Sequence, residues 1–149
     1  MKGRTYRYFE GTPLYPFGYG LSYTTFSYSG LSVPKTVDAG SPLVAEATVT
    51  NAGKKAGDEV VQLYLTFPSV PGAPLKALRG FERIHLAAGA SQKVKFELNP
   101  RDMSMVTEAG VPIVAEGAYT VTVGGGQPDT GAPAATERFN VKGTKTLPE

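Results

Sequence analysis

Cysteine and tryptophan are both missing from this 149-residue chain, and histidine occurs once, at His85. Without cysteine there is no disulfide, no thiolate-held zinc and no thiol nucleophile, and the redox compartment leaves no trace. One histidine builds neither a histidine pair nor a multi-histidine metal site. Flanked by Ile84 and Leu86, it is expected to point away from the core. No apolar run approaches the roughly 18 residues of a membrane-spanning helix. Charge is sparse and balanced: fifteen Lys and Arg against thirteen Asp and Glu, net +2. Lys54-Lys55 is the one basic doublet, too little for the clustered footprint that nucleic acid requires. Met1-Lys2-Gly3-Arg4 runs into tyrosines rather than an apolar stretch, so no signal peptide is legible. Met1 stands directly before sequence that reads as the middle of a protein.

What the chain has instead is punctuation. Eighteen glycines and twelve prolines separate short runs of β-branched and aromatic residues, which predicts all-β structure. In residues 43–50, Leu43, Ala45, Ala47 and Val49 face one way and Val44, Glu46, Thr48 and Thr50 the other, a half-buried strand. The glycines of 51–58 make a turn. Residues 59–67 follow, with Val61, Leu63, Leu65 and Phe67 inside; Tyr64 and Val60 make the opposite face partly apolar, so it is expected to be covered too. Residues 68–74, rich in proline, are a loop or a crossover between sheets. Leu78, Phe81, Ile84 and Leu86 anchor the next strand, with a kink at Arg79-Gly80. Val94, Phe96 and Leu98 alternate with Lys93, Lys95 and Glu97. Asn99-Pro100 breaks that strand, with a short helical turn expected through Ser104. Residues 111–115, 119–123 and 139–141 complete about seven strands, and no helix beyond that turn is predicted. Turns recur at roughly 8–12-residue intervals, the pattern of an immunoglobulin-like sandwich. The expected organisation is an arm over 1–28, a sandwich over 29–142 and a tail over 143–149.

Candidates for chemistry are weak. Glycoside hydrolysis needs two carboxyls about 5–10 Å apart across a sugar. Asp58-Glu59 and Glu108 with Glu116 sit in turns and nothing in their spacing demands it. Gly124-Gly125-Gly126 with Asp129 lacks the following helix of a phosphate cradle and the acidic spacing of a calcium loop. No metal and no cofactor is implied. Tyr119, opening a late strand, is expected to bond back across a corner of the sandwich.

The strongest signal is aromatic. Nine of the fifteen Tyr and Phe residues lie within the first 28 positions. The stretch from Tyr15 to Tyr23 interleaves rings with Pro16, Gly18 and Gly20, which excludes a regular helix. Three readings follow from the residues: a seal against a neighbouring domain, a clamp on the chain's own sandwich, or a sugar-stacking face. The seal is favoured, and its residues are Tyr8, Phe9, Leu14, Tyr15, Phe17, Tyr19, Tyr23 and Phe26.

The run from Tyr8 to Phe26, with Val49-Thr50-Asn51-Ala52-Gly53, Gly57-Asp58-Glu59-Val60-Val61-Gln62-Leu63-Tyr64, Leu78-Arg79-Gly80-Phe81-Glu82-Arg83-Ile84 and Gly117-Ala118-Tyr119-Thr120-Val121-Thr122-Val123-Gly124, resembles the C-terminal region of glycoside hydrolase family 3 enzymes, β-glucosidases and β-xylosidases. The resemblance covers roughly residues 4 to 142. It implies a fibronectin type III-like sandwich whose partners are upstream catalytic domains. Those domains would supply the nucleophilic Asp and the acid/base Glu, so no catalytic residue is carried onto this chain. Many members place a Trp near the position of Met103 to Val106; here Met105 or Val106 would fill that space. The function implied is an accessory domain that stabilises and positions the catalytic domains, the alternative being a module that anchors weakly to polysaccharide. An arm cut off from its partner is expected to fold back or to pair with a second copy.

Overall fold

The computed structural model describes residues 24–69, 74–126, 128 and 133–148, and its regular elements among these are all strands. In chain order they are β1 (Phe26–Ser32), β2 (Thr36–Asp38), β3 (Leu43–Asn51), β4 (Gly57–Thr66), β5 (Lys76–Leu86), β6 (Ser91–Leu98), β7 (Met105–Val106), β8 (Pro112–Val114), β9 (Gly117–Gly124), β10 (Ala134–Lys142) and β11 (Lys145–Thr146). One sheet has the order β1-β3-β6, a second β2-β10-β9-β4-β5, and a small third β11-β8-β7. Every pairing is antiparallel except that of β2 with β10.

The core follows the period-two pattern. Ala45, Ala47 and Val49 of β3 and Val94, Phe96 and Leu98 of β6 are buried together with Val61, Leu63 and Leu65 of β4, Val121 and Val123 of β9, and Phe139 and Val141 of β10. Burying each larger side chain contributes about 1.5–3 kcal/mol relative to exposure. The outward residues of β6, Lys93, Lys95 and Glu97, are exposed. Polar residues thus mark the solvent side of a strand whose other side is apolar from Val94 to Leu98.

Three expectations are corrected. Phe26, assigned to the arm, begins β1 and is 4% exposed within the sandwich's own core. Pairing of Phe26 with Asn51 and of Tyr28 with Val49 makes residues 26–32 a strand of the fold. That strand is polar, contains Gly30 and shifts register between Ser29 and Ser32, so its alternation is hard to see in sequence. The expected tail contains β11, which pairs with β8, and Leu147 behind it is buried, its N–H donating to Pro112 O at 2.9 Å. The short helical turn expected through Ser104 is present: Asp102 N–H and Met103 N–H donate to Asn99 O at 3.0 and 3.4 Å, and Asn99 N–H donates to the Asp102 carboxylate. Phe81 faces outward and is 72% exposed. Ile84 and Leu86 are the inward residues of β5, and an odd step from Ile84 puts Phe81 on the other side.

The kink at Arg79-Gly80 is a register shift: Leu63 pairs with Gly80 but Tyr64 with Leu78, leaving Arg79 as the extra residue. Its guanidinium lies 5.5 Å from the Phe67 ring centroid and donates to Ser104 O at 3.1 Å. Met103 and Met105 are buried, whereas Val106 is 57% exposed. Two flexible thioethers therefore occupy the interior of this segment.

Candidate functional site

Chemistry-bearing side chains gather at three places. The first is the entry of the chain into the sandwich. Asn51 ends β3 and is fully buried. Its Nδ2 donates to Lys55 O at 2.8 Å and to Leu86 O at 3.0 Å, and its Oδ1 accepts from Gly53 N at 3.0 Å and from the Thr24 hydroxyl at 2.7 Å. Two donor and two acceptor sites are the full capacity of a carboxamide. Beside it, Ala52 N–H donates to Thr25 O at 2.8 Å. Gly53 must be glycine, because a Cβ there would strike the Thr24 hydroxyl and the Thr25 backbone nitrogen.

The second place lies two residues further along β1 and β4, where Tyr28 of β1, Glu59 of β4 and Gly125 after β9 meet. A Cβ on Gly125 would lie 2.9 Å from Glu59 Oε2 and 3.3 Å from the Tyr28 hydroxyl. Burial, with the Glu59 charge beside it, pushes the Tyr28 phenol far above its ordinary range. The Glu59 carboxyl is also raised by burial, against the opposing pulls of Tyr28 and the Val60 N–H. One carboxylate next to a phenol that stays protonated is not the pair of carboxyls that hydrolysis needs.

The third is the outward side of β4 and β5. Asp58 binds Arg83 at 2.6 Å and His85 at 2.5 Å. The bonds from Arg83 and then His85 hold the Asp58 carboxyl below its ordinary value. All three side chains are exposed, so the cluster is screened by water and contributes little to stability. Further along β4, Gln62 and Tyr64 are buried on this same side and the Tyr64 hydroxyl donates to Gln62 Oε1 at 2.7 Å.

Tyr119 lies apart from these. Its hydroxyl donates to Ala115 O at 2.8 Å, and its ring is held edge-on by Phe67 and stacked on Phe139, centroids 5.9 and 5.3 Å away. Burial pushes its phenol up to about 12. Such a group braces a corner and does no acid–base work near neutrality.

Of the residues assigned to the interdomain seal, Tyr8, Phe9, Leu14, Tyr15, Phe17, Tyr19 and Tyr23 lie outside the described residues, and Phe26 is in the core. Glu108 and Glu116 are exposed, and Glu116 accepts from Gly143 N at 3.1 Å. Among the described residues no three of His, Asp and Glu gather to hold a metal. The role of Asn51 was not legible as more than a turn, because its partners Thr24 and Leu86 lie 27 and 35 residues away.

Residues 59–127 match the model of the fibronectin type III-like domain. The probable β-glucosidase D of Aspergillus oryzae is 44% identical over 147 residues, covering 83% of this chain and 19% of that protein. A β-xylosidase of Formosa agariphila is 41% identical over 122 residues, covering 80% of this chain and 17% of that protein. β-Glucosidase 3B of Thermotoga neapolitana, solved in complex with α-D-glucose, superposes with a TM-score of 0.82 at 33% identity, over 95% of this chain and 19% of that one. The chain thus spans about a fifth of the length of the relatives it matches. With its all-strand sandwich and the corner tyrosine in the late strand, the chain belongs to the C-terminal fibronectin type III-like domains of the glycoside hydrolase family 3 β-glucosidases and β-xylosidases.

Proposed function

We propose that this domain is the non-catalytic partner of a β-glycosidase, holding the catalytic domains of its parent in register. The observation that carries the reading is the chain's share of its relatives: it matches about a fifth of proteins named β-glucosidase and β-xylosidase. The described residues support it. Glu59, half-buried, lies beside a tyrosine, and Asp58 is occupied by Arg83 and His85. Neither arrangement activates water or protonates a leaving oxygen. The aromatic segment from Tyr8 to Tyr23 is the seal in this reading, its rings covered by a catalytic domain. An interface of the size found between domains, on the order of 600–1,500 Å², supplies enough apolar burial to couple their stabilities.

Removing residues 1–149 from the parent tests it. The expected outcome is a lower melting temperature and lower activity of the remaining enzyme. An enzyme unchanged in both would overturn the proposal. Retardation of the isolated chain in xylan or glucan gels would favour the anchoring alternative.

A further inference from the structure

Phe81 and Val60 are apolar side chains that the sandwich does not cover: Phe81 is 72% exposed and Val60 41%. They are diagonal neighbours on the outward side of the β4–β5 pair, since Gln62 stands opposite Phe81 and Val60 opposite Arg83. One side of β5 buries Ile84 and Leu86; the other presents Phe81, Arg83 and His85 in succession. Arg83 and His85 are both tied to Asp58, so the polar edge of this patch is already ordered. Only one Arg83 nitrogen meets Asp58 at 2.6 Å, and a guanidinium carries five donors. Gln62 and Tyr64, shielded from solvent on the same side, continue the face inward along β4. An aromatic anchor, a neighbouring aliphatic and an arginine at a pre-set rim are the composition of an interface centre.

We propose that this face docks against the remainder of the parent polypeptide. Phe81 enters an apolar pocket there, and the free donors of Arg83 reach carboxylate or carbonyl oxygens at its edge. The occupant follows from length. About four-fifths of the matched relatives lies beyond the stretch that this chain covers, and a covalently joined partner is present at high effective concentration. A patch this small suits such a partner, whereas a second copy must bind it from dilute solution. The inference rests on the accessory-domain reading.

Because the chain has no cysteine, Phe81→Cys gives it a single thiol. Maleimide labelling, followed by peptide mass spectrometry, is compared between the full enzyme and the 149-residue chain. The expected result is labelling on the order of tenfold slower in the full enzyme, while Val106→Cys, on the small third sheet, labels alike in both. A second variant guards against loss of docking by the cysteine itself: Phe81→Ser should lower the melting temperature of the full enzyme and leave that of the isolated chain unchanged. Equal labelling together with equal melting shifts overturns the proposal. If deletion of the whole chain still destabilises that enzyme, only the face is lost; if deletion changes nothing, the accessory reading falls with it. Protection of the thiol in the isolated chain that grows with concentration identifies a second copy instead and overturns the proposal.

Discussion

Asn51 joins three segments through one side chain: the entry at Thr24, the β3–β4 turn at Gly53 and Lys55, and the end of β5 at Leu86. A buried carboxamide with every site satisfied contributes modestly, but its removal strands each partner, and a stranded buried polar group costs about 1–3 kcal/mol. Asn51→Ala should therefore cost about 2–4 kcal/mol in urea unfolding of the isolated chain. Asn51→Asp should cost more, because its carboxylate would face the Lys55 and Leu86 carbonyl oxygens that now accept hydrogen bonds. An Asn51→Ala variant of unchanged midpoint would show these bonds to be replaceable by water. Sequence could not expose this residue, since Asn before Ala-Gly reads as an ordinary turn and its distant partners are fixed only by the fold.

At the scale of elements, the strands with clean alternation were legible. β3 from Leu43 to Val49 and β6 from Val94 to Leu98 are apolar at every second position, and the inward residues read from that pattern are buried. The strands that escaped were short or polar: β1, β2, β7 and β11. Their place is set by backbone pairing rather than by an apolar stripe, and pairing leaves no periodic mark. The junction of β1, β4 and the segment after β9 carries a pH prediction. Glu59 has a folded pKa raised above its ordinary 4.5. The folded state therefore binds the proton more tightly, and stability falls as pH rises from about 4.5 through the folded value. Above that window the ionised, half-buried carboxylate is a net cost; below it the cost vanishes. Glu59→Gln should accordingly raise the melting temperature more at pH 7 than at pH 4, relative to the parent chain at each pH. The same shift at both would assign the effect to packing alone.

For the whole molecule, the sandwich and its family were readable because the matching motifs occur in order along the chain. The outward Phe81 was not, since a phenylalanine between apolar anchors looks like core until the register of β5 is known. The aromatic arm yields the remaining prediction. If its rings seal a joint, the chain should bind the separately expressed catalytic domains of its parent, and combined change of Tyr15, Phe17 and Tyr19 to Ala should abolish that binding in a calorimetric titration. Such truncations at an interface centre typically cost about 2 kcal/mol or more each. Binding that survives all three changes would leave the joint to other surfaces.

The knot at Asn51 also has a mechanical meaning. The chain enters β1 held twice within two residues, by the Thr24 side chain and the Thr25 carbonyl. Tension arriving from residues before Thr24 is thus delivered to the end of β3 and, through Leu86 O, to the end of β5. β3 is the central strand of one sheet and β5 an edge strand of the other, so a pull on the arm is shared by both layers and not taken by β1 peeling alone.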